Sequence, residues 1–203
     1  MARPKGFDDT AVLEAAVECF WNRGFVATSV RDLGDRMGIG SASLYNAFGD
    51  KQALFARALE QYLNCSTRDR LSRLEASLPP KEAIHRFFAE IIDHSISDRE
   101  RKGCFLVNSA LEVAPHQSEV GAVIAKQFGE IEAFFRRSIL AAQADRMTPR
   151  GLDATDTARL LLGVLLGIRV LARSVPRRSL LEGVVRPALA LLDFPRNNRK
   201  NRQ

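Results

Sequence analysis

Gly24, Gly38 and Gly49 cut the first sixty residues into helical pieces, two of them only about two turns long. A capping residue stands before most of these pieces. Asp8 opens the first, Ser29 the second with Asp32 at its third position, and Asp50 the fourth. Phe7 and Val12 are placed as a hydrophobic staple on the first, where Val12, Ala15, Ala16, Cys19 and Phe20 recur at helical spacing. Val30, Leu33 and Met37 point inward from the second piece. Leu44 and Phe48 do so from the third, which leaves Ser41, Ser43, Tyr45 and Asn46 on its other faces. The fourth carries Leu54, Phe55, Ala58, Leu59, Tyr62 and Leu63. Helices this short are not stable alone, so their apolar stripes must be buried against one another. A short helix, a glycine turn and a second short helix, flanked by supporting helices, predict a helix-turn-helix.

No long stretch of the chain alternates with period two, and the fold class read from it is all-α with about nine helices. "SLPP" at 77–80 precedes a helix over about 81–97, "SDRERKG" reads as a charged loop, and "CFLVNSALEVA" as a short apolar helix. Further helices follow over about 118–144, 154–174 and 178–193, with Pro187 expected to kink the last. The predicted division is a helix-turn-helix domain over 1–50, a linking helix over 51–76, a C-terminal domain over 77–195 and a disordered basic tail over 196–203. The run "LLLGVLLGIRVLA" has thirteen residues and contains Arg169, too short and too charged to span a bilayer. The last two helices are nonetheless more apolar than a solvated layer tolerates. They predict a two-fold dimer through a four-helix bundle, with Leu162, Gly163, Leu166, Gly167, Leu180, Val184 and Leu191 at the contact. Gly163 and Gly167, one turn apart, would let helices approach closely.

The net charge of +6 is unevenly spread. Residues 1–70 hold nine basic and nine acidic side chains, and residues 71–203 hold twenty-one and fifteen, partly in the tail "RNNRKNRQ". Any DNA contact near the N-terminus must therefore come from the placement of a few cations rather than from bulk charge. Cys19, Cys65 and Cys104 are too few and too scattered for a disulfide framework or a metal knuckle, which fits a reducing, cytoplasmic setting. The N-terminal "MARPKGFDDT" has no apolar stretch of the kind a secretory signal needs. His85, His94 and His116 lie far apart, and Glu90 with His94 makes only one edge of a metal site, so no metal, cofactor or catalytic group is assigned.

A helix fits the major groove, and the leading residues of the second helix of such a pair meet base edges. Ser41 and Ser43 suit phosphate or base edge, the Ala42 methyl suits a thymine methyl, and Asn46 suits adenine. Tyr45 offers a phenolic donor to phosphate, and Lys51 joins an ammonium to the first turn of the next helix. Ser29 and Arg31 are further candidates, and Arg3 and Lys5 on the N-terminal arm suit the backbone or minor groove. Double-stranded DNA is thus the expected partner.

The stretch "GFVATSVRDLGDRMGIGSASLYNAFGDKQALFARAL" closely resembles the DNA-binding domain of TetR-family transcriptional regulators. The elements that carry the likeness are Gly24-Phe25, Thr28-Ser29, Val30 to Met37, Leu44-Tyr45 with Phe48, and Asp50-Lys51 with Leu54-Phe55; it extends over about residues 8–63. The resemblance implies a homodimer bound to a short pseudo-palindromic operator, and no enzyme. It implies that Thr28 and Lys51 meet phosphate and that Ser41 to Ser43, Tyr45 and Asn46 enter the groove. Two departures are present. Gly40 stands where many members have a capping serine, and Asn46-Ala47 replaces a frequent polar or histidine pair, which leaves the operator sequence open.

The resemblance further implies a C-terminal domain that receives a small effector and releases DNA, with repression as the majority mode. Phe87, Phe88, Ile91, Phe105, Leu106, Phe128, Phe134 and Phe135 are the candidates to line an apolar cavity for an apolar or weakly polar effector, or else simply form the core. "RERKGCFLVNSALEVAPH" resembles a Gly-Cys segment found in members that respond to electrophiles or oxidants. Cys104 there follows Arg99, Arg101 and Lys102 at a helix start, where an accessible thiol would be activated. The alternative is a small apolar residue at a buried helix start.

Overall fold

The structure, a computed structural model, describes residues 8–194; Arg3, Lys5, Phe7 and the basic tail 196–203 lie outside them. Helix α1 (Asp9–Arg23) starts where the Asp8 carboxylate accepts the Thr10 N–H at 2.9 Å, and it stops at Gly24, whose φ of 80° suits a residue without Cβ. Helices α2 (Val30–Met37), α3 (Ser41–Phe48) and α4 (Lys51–Leu63) follow. A wider π-helical turn, Asn64–Arg68, carries α4 into α5 (Asp69–Ser77) without a break. Then come α6 (Pro80–Ser97), α7 (Phe105–Glu112), α8 (Ser118–Ala144), α9 (Ala154–Ser174) and α10 (Arg178–Ala190). With α4 and α5 counted as one rod, the described residues hold nine helical rods, and all their regular structure is helical.

The chain divides into two compact units. The first comprises the residues up to Arg70 together with Lys102–Phe128. Its core is Ala16, Phe20, Leu33, Leu44, Leu54, Phe55, Leu59 and Leu63, all at most 1% exposed. Phe55 is central: its ring meets Phe20, Phe25 and Phe105 edge-on at centroid distances of 4.9, 5.2 and 5.4 Å. Trp21, Tyr62 and Phe105 extend the cluster. Each such pair contributes about 0.5–1.5 kcal/mol beyond burial of its area. This division differs from one drawn along the chain at residues 50 and 76. The segment Lys102–Phe128 groups with the N-terminal helices because α7 buries its side chains among theirs.

The second unit comprises Leu71–Arg101 and the residues from Gly129 on. Here α6 packs on α9 and α10, and α9 on α10. Phe87, Phe88, Phe134 and Phe135 are wholly buried ring against ring, with Phe88 stacked on Phe135 at 5.6 Å and 5°. Asp153 caps α9 by accepting the N–H groups of Thr155 and Asp156. Arg169, the charge inside the apolar run, is only 7% exposed and donates to Ser95 Oγ at 3.1 Å. Helix α10 continues through Pro187 to Ala190. At Gly163 and Gly167 an added Cβ would meet nothing within 4 Å, so the close helix approach expected there is not made inside the chain. Leu162, Leu166, Gly167, Leu180 and Val184 are half-buried, and Gly163 and Leu191 are exposed. Leu160 and Val170, which the pattern did not single out, are the more exposed apolar residues of α9, at 46% and 47%. Among the described residues no helix is long and apolar enough to cross a membrane.

Candidate nucleic-acid interface

Helix α2 is fastened at its start by a reciprocal cap. Ser29 Oγ accepts the Asp32 N–H at 3.1 Å while an Asp32 oxygen accepts the Ser29 N–H at 2.9 Å. The Ser29 hydroxyl proton is also directed to Asp32, and Arg23 from α1 grips the same carboxylate at 2.6 Å. These bonds to Ser29 and Arg23 hold the Asp32 carboxyl down at about pKa 2.

The turn into α3 depends on glycine at two positions. Ile39 N–H donates to the Gly34 carbonyl at 3.1 Å, and a Cβ on Gly34 would lie 2.9 Å from the Ile39 carbonyl oxygen. Gly38 takes a left-handed φ of 69°. Leu44 and Phe48 then bury one face of α3, at 0% and 5% exposure. Ser41, Ala42, Ser43, Tyr45 and Asn46 are all exposed, Tyr45 at 48%. Gly40 supplies no side-chain cap, so the first N–H groups of α3 have no side chain across them. Arg57 from α4 lies over the Phe48 ring at 4.7 Å and backs α3 from behind.

Lys51 is the first residue of α4, after Asp50 caps it through the Ala53 N–H at 2.8 Å. Its ammonium stands 4.3 Å from the Phe25 ring centre. Burial pushes its pKa down and the Glu112 carboxylate pulls it back up. Arg31 projects into solvent with an Asp35 oxygen at 3.9 Å.

Two expected contacts are revised. Thr28 is fully buried, and its hydroxyl donates to the Gly24 carbonyl at 2.6 Å, so the side chain shapes the turn instead of facing phosphate. The Ser29 hydroxyl is spent in the α2 cap. The sequence pattern missed Glu112. Its carboxylate accepts the Val26 N–H at 3.1 Å from eighty-six residues away, a contact for which no local signal exists.

Elsewhere the structure separates residues that the pattern had grouped. Phe105 and Leu106 lie in the first unit, and Phe87, Phe88, Ile91 and Phe135 in the second; Phe128 ends the first. Cys104 stands at the N-cap position of α7 and is only 7% exposed, so the accessible thiol of one reading gives way to the buried helix start of the other. Lys102, one of the cations meant to activate it, pairs with Glu18 at 3.1 Å instead. Cys65 is the exposed thiol, and burial pushes the Cys19 thiol pKa up. Glu90 faces Arg73 and Arg86. Among the described residues no three His, Cys, Asp or Glu side chains gather as metal ligands.

A rigidly backed two-turn helix with a polar, solvent-facing edge, held by a glycine turn against a capped partner, defines a helix-turn-helix DNA-binding protein. Residues 12–58 match the bacterial regulatory proteins of the tetR family, and residues 80–186 match the tetracyclin repressor-like C-terminal domain. The chain belongs to the tetR family and is a DNA-binding transcriptional regulator.

It is 33% identical over 195 residues to the uncharacterized HTH-type transcriptional regulator YezE of Bacillus subtilis, covering 95% of this chain and all of YezE. It is 28% identical to the HTH-type transcriptional repressor ComR of Escherichia coli, over 84% of this chain and 82% of ComR. Among solved structures, a cysteine mutant of the TetR-family regulator CifR in complex with 26-bp double-strand operator DNA superposes with a TM-score of 0.80. That match has 32% identity and covers 92% of this chain and 98% of CifR. The reduced form of E. coli NemR superposes at 0.83 with 18% identity, a likeness of fold alone.

Proposed function

We propose that this chain is a cytoplasmic repressor that binds a pseudo-palindromic operator as a homodimer and is released by a small effector. The observation that carries the reading is the exposed edge of α3, with Leu44 and Phe48 anchored behind it. Ser41, Ala42, Ser43 and Asn46 meet base edges; Tyr45, Lys51 and Arg31 meet phosphates. Arg3 and Lys5, outside the described residues, are proposed to add contacts to the backbone or the minor groove. The CifR complex with operator DNA supports the same use of this fold here. The dimer forms through the α9–α10 face, where Leu160, Gly163, Val170 and Leu191 are open to a second copy. The two recognition helices then lie about 34–36 Å apart, one duplex turn.

The effector enters the C-terminal half. Ligand entry among Phe87, Phe88, Ile91 and Phe135 requires their packed rings to part. Redox sensing at Cys104 is the second reading, and the burial of the thiol weighs against it.

The test is a mobility shift on DNA from upstream of the chain's own gene. The wild type is retained specifically, and Tyr45→Ala and Lys51→Ala lose retention with an unchanged circular dichroism spectrum. A folded monomer that no DNA fragment retains would end this reading.

A further inference from the structure

Helix α7 touches the N-terminal helices at both of its ends. At the start, Lys102 Nζ pairs with Glu18 of α1 at 3.1 Å and lies 5.9 Å from the Trp21 ring centre. Its carbonyl accepts the Asn108 side-chain N–H at 2.8 Å, which ties the entry loop to the helix. Phe105 inserts its ring among Trp21, Phe55 and Tyr62. Two turns later, on the same face, Glu112 accepts the Val26 N–H. The Glu112 carboxylate fills the space over Gly24: a Cβ there would lie 2.9 Å from both its oxygens. Beyond α7, a cleft of about 370 Å³ separates Asp50, Gln52 and Ala53 from His116, Gln117 and Val120, so the loop after the helix flanks the start of α4.

We infer that α7 is a clamp on the DNA-reading helices, with Glu112 as the positioning residue that fixes the Gly24–Val26 turn and so sets α2 and α3 for DNA. The inference rests on the DNA-binding reading and adds its control point. Whatever shifts α7 withdraws a hydrogen-bond acceptor from the turn that leads into α2. The segment "GCFLVNSALE" then has a mechanical role: Asn108 and Glu112 hold the two ends of the clamp, and Cys104 is buried at its start.

The sign of one substitution separates this role from simple charge. Glu112 is an anion beside Lys51, so on electrostatics alone its removal tightens DNA binding. The clamp predicts the reverse for Glu112→Ala: operator affinity falls roughly tenfold, since the Val26 N–H loses its acceptor. Glu112→Gln keeps an acceptor oxygen and binds at least as tightly as the wild type. The slope of log K against log salt is unchanged in Glu112→Ala, because no phosphate contact is lost. The assay is fluorescence anisotropy on a labelled operator with the full chain, and amide exchange at Val26 is read in parallel. Exchange is slow in the wild type and Glu112→Gln and fast in Glu112→Ala. If Glu112→Ala does not fold, rapid Val26 exchange in the wild type, as fast as in an open loop, still overturns the clamp. Glu112→Ala binding as tightly as the wild type, or Glu112→Gln binding as weakly as Glu112→Ala, also overturns it. A wild type that binds no DNA fails the underlying reading instead and is distinguished at the first titration.

Discussion

Replacing Lys51 by alanine tests the interface through a quantity that structure and charge together set. Lys51 is the first residue of α4, with its ammonium braced over the Phe25 ring at 4.3 Å rather than free in solvent. In a dimer on one operator there are two such ammonium groups. Each phosphate neutralised adds about 0.9 to the slope of log K against log salt, so Lys51→Ala lowers the slope by about 1.8. Between about 50 and 200 mM salt, the affinity gap between wild type and variant therefore narrows roughly twelvefold. Loss of the ring contact costs about 0.5–1 kcal/mol of stability at most, so the variant stays folded at the temperature of the assay. Anisotropy titrations at four or five salt concentrations measure the slope directly. A gap that stays constant with salt would mean that Lys51 holds the α4 start in place and touches no phosphate, and the contact assigned to it would be refuted.

Three further outcomes follow from particular side chains. Asp32 has a folded pKa of about 2, below its ordinary 3.8, so its ionised form stabilises the cap fully above 3.8 and that contribution is lost as pH falls towards 2. Asp32→Asn is therefore less stable than the wild type at neutral pH, and the difference closes in urea melts run between pH 4 and pH 2; a gap independent of pH would contradict the cap. Phe88→Ala removes a ring packed on Phe87 and Phe135 and costs about 3–5 kcal/mol in chemical denaturation, whereas a loss under about 1 kcal/mol would mean the ring borders open space that an effector can fill. In the native protein a thiol reagent modifies Cys65, with Cys19 and Cys104 reacting only on unfolding, and mass spectrometry of the labelled peptides reads this directly. Rapid labelling of Cys104 in the folded chain would restore the redox reading.

Much of the N-terminal half was legible because its signals are local. The caps at Asp8, Ser29 with Asp32, and Asp50 act within three residues, and all form as their spacing predicts. The division of α3 into a buried pair and an exposed edge follows from helical period alone, since Leu44 and Phe48 are one turn apart. Side-chain direction at the turns was not legible in the same way. Thr28 carries a hydroxyl that suits phosphate as well as a carbonyl, and only the path of the chain at Gly24 turns it inward. The phenylalanines of the C-terminal half have the composition of both a core and a cavity. Ring-on-ring contact at Phe87, Phe88, Phe134 and Phe135 is a property of their placement, which periodicity does not contain.

The sequence by itself determined an all-helical chain with a helix-turn-helix near its start, because caps, glycines and apolar period act between residues close along the backbone. Only the tertiary structure decided that α7 belongs with the reading helices, that Cys104 is enclosed, and that Glu112 reaches the Val26 N–H. Those outcomes depend on which distant surfaces meet, and a meeting across eighty-six residues leaves no trace in the spacing of either partner.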